Sequence, residues 1–344
     1  MILLRREMKK AWWANGRLWL GMVCSALFLI LVFRNVRWIE LAVVLQTVNW
    51  AILLVAAALY ALSLVMRGLC WQSLLTPLGP VTMKEAFKYA NIGYMANNLL
   101  PLRAGEVIRA ALLAEKRCFS KSAVFATIVL ERLLDVLILG GLTMLLMVAM
   151  PIPSMARRSI LVTGIVGCLV IIGLWWAAGR SWSDLKAERL PRRLHRRAVR
   201  VAVSLGRSFS DGLLAVRSVK QAGAAGFYSL MAWMLVCGSI YLMMLASHLR
   251  LSWRAALLVM VMVNLGSVIP SSPGSIGVVH FLAVMALSPW MVNREVAVGF
   301  SIVLHAVSVL VTVVLGGACL WTEKIGIVRV NKPGLQVSAL PVRD

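Results

Sequence analysis

The sequence predicts an all-α polytopic membrane protein, with about six full spans and two re-entrant helical segments in an inverted repeat. Three observations carry this. The 344 residues are 61% hydrophobic and 14% charged, with a mean hydropathy of +0.86, well outside the range of soluble domains. Long apolar stretches recur along the chain, each able to cross about 30 Å of hydrocarbon as a helix. Two further apolar regions are interrupted by proline and glycine and align with each other.

Full spans are expected near residues 18–33, 41–66, 122–150, 159–178, 226–247 and 296–321. The first follows Arg5, Arg6, Lys9, Lys10 and Arg17 with no small-residue cleavage site before Arg34, so it reads as a retained signal anchor. The formal charge of +23 comes from 36 Lys and Arg against 13 Asp and Glu. Much of it lies at the N-terminus, in the basic connector 180–220 and in the tail 322–344, which the positive-inside rule assigns to the cytoplasm. Arg34, Arg37, Arg157 and Arg158 oppose this assignment but are fewer. Both termini are therefore expected inside an inner (plasma) membrane. The charge then orients the chain and meets anionic lipid heads; it is not a nucleic-acid footprint. Within 194–219, Leu194, Ala198, Val201, Leu205, Phe209, Leu213, Val216 and Val219 recur at helical spacing, as in an interfacial amphipathic helix; a solvated linker between the halves is the alternative.

The interrupted regions are 80–118 and 252–290. Pro101-Leu102-Arg103-Ala104-Gly105 in the first has a counterpart 169 residues on in Pro270-Ser271-Ser272-Pro273-Gly274. Upstream, Thr82-Met83-Lys84-Glu85-Ala86-Phe87 resembles Ser252-Trp253-Arg254-Ala255-Ala256-Leu257; downstream, Thr127-Ile128-Val129-Leu130 matches Ser301-Ile302-Val303-Leu304. One integral domain of two repeats, about 41–150 and 226–321, follows from this order. The expected topology places the two broken segments on opposite faces, each entering and leaving by one side. Backbone freed at Pro101, Gly105, Pro270, Pro273, Gly274 and Gly277 needs protein or a wet cavity around it. Ordinary kinked spans are the alternative.

Charges within the apolar regions are functional candidates because they are costly there. Arg103, Glu106 and Arg109 follow the first kink, where a helix N-terminus and the amides of Asn97 and Asn98 could hold a phosphate; snorkelling to lipid heads is the bland reading. Glu131 and Asp135 share one helix face, with Arg132 beside them. Two adjacent carboxylates favour protonation of one, which suits proton coupling; a static ion-pair network is the alternative. The second repeat offers Ser271, Ser272, His280 and His305, the last aligned with Glu131. The six cysteines show no metal or disulfide spacing, and no catalytic, metal or cofactor motif is readable.

The ordered set P-x-R-x-G-E-x-x-R at Pro101 to Arg109, E-R-x-x-D at Glu131 to Asp135, and P-x-x-P-G-x-x-G at Pro270 to Gly277 resembles the lysylphosphatidylglycerol synthase transmembrane-region family, also called the flippase-like domain. The resemblance covers about 15–325. It implies an integral inner-membrane protein associated with moving lipids or lipid-linked substrates across the bilayer; the arginines point to an anionic phospholipid or lipid-linked substrate, and with no nucleophile and base paired by spacing an enzyme is not expected. Ser275 and His280 stand where such proteins often have a glycine and an acidic residue, which weakens a carboxylate-dependent coupling in the second repeat. Larger members add a cytosolic aminoacyl-transferase domain; with about twenty residues after the last span, that synthesis is not expected here. A proton-coupled carrier of small anions, or a scaffold for a lipid-modifying enzyme or glycosyltransferase, uses the same features. A second copy of the chain is a further candidate partner.

Overall fold

The computed structural model describes residues 16–100, 104–149, 218–266 and 271–323, and every regular element among them is helical. In chain order these are α1 (Gly16–Phe33), α2 (Trp38–Gln46), α3 (Trp50–Leu75), α4 (Met83–Leu99), α5 (Ala104–Arg117), α6 (Lys121–Ala149), α7 (Val219–Ala246), α8 (Trp253–Gly266), α9 (Val278–Leu287) and α10 (Arg294–Thr322). The expected span 159–178, residues 180–217 of the connector, the tail from 324, and Pro101, Arg103 and Pro270 lie outside the described residues.

Local chemistry sets the boundaries. The span expected at 41–66 is two helices, because the first stops at Gln46, with Thr47 as its C-cap, and Asn49 starts the next. Its side chain accepts from Ile52 N at 3.1 Å, an N-cap, and its own N–H donates to Ala246 O at 2.9 Å. The long helix therefore runs to Leu75. Thr82 and Glu85 form a capping box that starts α4. Asn293 caps α10 by accepting from Glu295 N at 2.9 Å.

Among the described residues, four stretches are long and apolar enough to cross a membrane by length and composition: Trp50–Leu78, Val219–Ala246, Pro273–Trp290 and Arg294–Thr322. The third is not one helix. A 3₁₀ turn at Pro273–Ser275 and positive φ at Gly274 and Gly277 (70° and 90°) break it, leaving the ten residues of α9. At 1.5 Å per residue α9 reaches about 15 Å, half a hydrocarbon core.

The first interrupted region is a helical hairpin. Arg117 pairs with Glu85 at its base, the Arg109 side chain lies against Gly93 midway, and Gly105 meets Asn97 at the tip. Glycine is required at that tip, since a Cβ on Gly105 would stand 1.9 Å from Gly93 O. In the second region α8 packs on α9, with Gly266 facing Leu282.

Contacts on one side have counterparts on the other. As α4 packs on α10, so α8 packs on α6; α3–α4, α5–α6 and α3–α6 are matched by α7–α8, α9–α10 and α7–α10. On the axis of this pattern α3 and α7 lie antiparallel. Asn49 meets Ala246, Ser239 Oγ donates to Ala56 O at 2.7 Å, and Cys70 and Leu74 pack with Ala225. Two features stand outside the pairing. The Ser25 hydroxyl of α1 accepts from Ser272 N at 2.9 Å and clamps the second turn. Glu323, just past α10, accepts from Lys88 Nζ at 2.5 Å and Tyr89 OH at 2.6 Å, with Lys116 Nζ at 3.4 Å, tying α10 to both arms of the hairpin.

Candidate functional site

The tips of the two interrupted regions meet: the Asn98 carbonyl oxygen lies 3.4 Å from where a Cβ on Gly274 would stand. They floor a cavity of about 290 Å³ between the halves. One wall is polar, formed by Tyr60 and Arg67 of α3, Tyr94, Asn97 and Asn98 of α4, and Arg132 of α6. Asn264, Ser275, His305, Ser308 and Thr312 continue it from the second half. The remaining wall is apolar, with Val236, Ile240, Met243, Val263, Val279 and Leu304. A lining that combines guanidinium, amide and hydroxyl groups with apolar side chains suits an amphiphile.

Behind the polar wall lies a charge network. Asp135 accepts from Arg67 Nη1 at 3.1 Å through both oxygens, from Trp233 Nε1 at 2.9 Å and from Ser229 Oγ at 3.2 Å, and pairs with Arg132 Nη1 at 3.1 Å. Glu131 accepts from Arg132 Nη2 at 2.5 Å and Tyr94 OH at 3.1 Å, and pairs with Arg109 Nη2 at 3.0 Å. Arg132 Nε points at Glu106 across 3.8 Å, too far for a hydrogen bond. Each carboxylate thus faces guanidinium groups and not only its carboxylate neighbour.

Arg109 does not reach the cavity. It is 1% exposed, held between the rings of Trp71 and Tyr94 and paired with Glu131. It braces the wall. Glu131 and Asp135 likewise stand behind it, and Glu106 at its side. Asn97 and Asn98 line the cavity but also hold the fold: Asn97 Oδ1 accepts from Gly105 N at 2.9 Å, and Asn98 Nδ2 donates to Thr312 Oγ1 at 2.6 Å. Ser271 Oγ donates to Ser275 Oγ at 3.2 Å, and Ser272 is engaged with Ser25. His305 lines the cavity, its ring 5.0 Å from that of buried His280.

Arg67 is the residue sequence reasoning missed. A span ending at 66 puts it among lipid heads; the helix from Trp50 makes it the eighteenth of 26 residues. Its guanidinium stacks on Trp233 at 4.6 Å and lines the cavity; among the described residues its hydrogen bonds run from Nη1 to Asp135. Among the described residues no group of three His, Cys, Asp or Glu could hold a metal ion.

A family model described as lysylphosphatidylglycerol synthase TM region matches residues 18–316. A UPF0104 membrane protein of Methanothermobacter thermautotrophicus is 26% identical over 269 residues, 73% of this chain and 78% of its own length. The glycosyltransferase AglD of Haloferax volcanii is 26% identical over 331 residues, 86% of this chain but 53% of AglD.

Proposed function

Since the chain belongs to the lysylphosphatidylglycerol synthase transmembrane-region family, we propose that this integral membrane protein is a lipid translocase. An anionic phospholipid or lipid-linked substrate places its phosphate between Arg67 and Arg132 while its tails stay in the bilayer. The cavity carries the reading, because it joins the guanidinium groups of Arg67 and Arg132 to apolar side chains where the two interrupted segments meet. Head-group phosphate accepts from the guanidinium groups of Arg67 and Arg132 where they line the cavity. Asp135 and Glu131 fix both guanidinium groups, so little side-chain entropy is lost when the anion arrives. No covalent step is involved.

In this reading the two halves are inverted repeats, with six full spans and two re-entrant hairpins. The four short helices α4, α5, α8 and α9 would stop near mid-depth, and both termini would be cytoplasmic. Glycines at the tips let either hairpin swing, opening the cavity to one side at a time.

Reconstitution tests it. Vesicles containing the protein should equilibrate fluorescent phosphatidylglycerol between leaflets faster than empty vesicles, and Arg67→Ala or Arg132→Ala should abolish the gain. No acceleration over empty vesicles for several anionic head groups would overturn it. The likeness to AglD favours a second reading, a membrane scaffold for a glycosyltransferase. It expects glycosyl transfer in membranes to need this chain while Arg67→Ala and Arg132→Ala leave that transfer intact.

A further inference from the structure

In the first half, α5 is joined to α6 by the buried pair Arg109 and Glu131, at 3.0 Å. The matching joint of the second half, α9 to α10, holds His280 and His305. The numbering agrees. His305 is 174 residues after Glu131, the offset that aligns Ser301 with Thr127, and His280 is 171 after Arg109, between that offset and the 169 that aligns the kinks. The hydroxyls correspond too: Thr127 Oγ1 accepts from Trp71 Nε1 in one half, and Ser301 Oγ contacts His280 Nδ1 at 3.2 Å in the other. Where one half sets a guanidinium against a carboxyl group, the other sets two imidazole rings together.

The hydrogen bonds favour one tautomer. Ser301 Oγ donates its single proton to Val298 O at 2.7 Å, so toward His280 it can only accept. Nδ1 of His280 therefore carries hydrogen, and Nε2 is the nitrogen free to take a proton. His305 has no hydrogen-bond partner for its ring among the described residues and lines the cavity. The groups that share this cavity with it are Tyr60 and Arg67 of α3, Tyr94 of α4 and Arg132 of α6; no ion pair with either ring occurs among the described residues. With ring centroids 5.0 Å apart, two imidazolium charges would repel strongly, so the pair takes one proton before a second becomes accessible.

We propose that His280 and His305 form a one-proton site, the second half's counterpart of Arg109 and Glu131, and that an anionic head group in the cavity is the charge that stabilises its protonated state. The inference rests on the cavity being a head-group site. Protons would then enter with the anion and leave with it.

The test is a nitrogen NMR titration of histidine-labelled full-length protein in nanodiscs of phosphatidylcholine, with and without phosphatidylglycerol; His280→Asn and His305→Asn assign the signals. The two rings should titrate as a coupled pair, and phosphatidylglycerol should tighten proton binding about tenfold, one unit in midpoint. In His305→Gln the lipid response of His280 should vanish; His280→Gln, read at His305, gives the same comparison should the first variant not fold. Rings that titrate independently, or a coupled titration indifferent to phosphatidylglycerol, would overturn the proposal. Flipping in vesicles separates this from the translocase reading: accelerated flipping with a lipid-blind titration sinks only the proton site, whereas a lipid-linked titration without flipping sinks only the translocase.

Discussion

Glu131 and Arg109 are both 1% exposed, yet removing one should cost far more than removing the other. At an effective dielectric near 20, a unit-charge pair 3.0 Å apart interacts by about 5–6 kcal/mol, and one at 4.0 Å by about 4 kcal/mol. Arg109 has Glu131 as its one carboxylate partner among the described residues, whereas Glu131 also meets Arg132 at 2.5 Å and Arg67 at 4.0 Å. Glu131→Gln therefore strands Arg109 without a counter-ion between Trp71 and Tyr94, and should destabilise by about 3–5 kcal/mol. Arg109→Met leaves Glu131 with two guanidinium groups and loses about 1–3 kcal/mol. The double variant removes the stranded charge and should be more stable than Glu131→Gln alone. Equilibrium unfolding of the purified protein in mixed micelles, with rising dodecyl sulfate, measures all three against the native chain. A smaller loss for Glu131→Gln than for Arg109→Met, or a double variant that loses the sum of both, would refute the account of this network.

Gly105→Ala should part the first hairpin, because its Cβ would meet Gly93 O at 1.9 Å; we expect a loss of about 1–3 kcal/mol in the same unfolding assay and faster cysteine labelling at an introduced Asn97→Cys. Burial alone would raise the Glu323 carboxyl, but hydrogen bonds from Lys88 and Tyr89, with Lys116 nearby, hold it down to about 2 from an ordinary 4.5. A carboxyl lowered on folding stabilises above its unfolded value, so this clasp should weaken as pH falls from about 4.5 toward 2, and Glu323→Gln should flatten the stability profile there. Ser25→Ala removes the acceptor for Ser272 N and should cost about 1 kcal/mol, read as a lower melting midpoint in detergent.

The interruptions were legible because proline and glycine announce backbone that a continuous helix cannot accommodate; Gly105, Gly274 and Gly277 sit where chain crowding or positive φ demands them. Charge, polarity and alignment alone single out Arg132, Asn97, Asn98 and His305, and all four line the cavity. Arg67 could not, because its depth depends on where α3 begins. That start is set by a side-chain cap at Asn49 inside an apolar run that hydropathy reads as unbroken. Arg109 was misplaced for the opposite reason. Its spacing puts it beside a helix N-terminus, but the crossing of α5 on α4 turns it into the protein against Trp71. Sequence registers which charges are buried; packing decides which of them face a ligand.

The side-by-side run of α3 and α7 in opposite directions has an electrical corollary. Each long helix carries partial charges of roughly half a unit at its ends, and here the positive end of one adjoins the negative end of the other, as the link from Asn49 to Ala246 shows. Their macrodipoles cancel, so this central pair contributes almost no field along the route a head group would travel. The voltage profile felt in the cavity is left to the guanidinium and carboxylate groups, where a single substitution can reshape it.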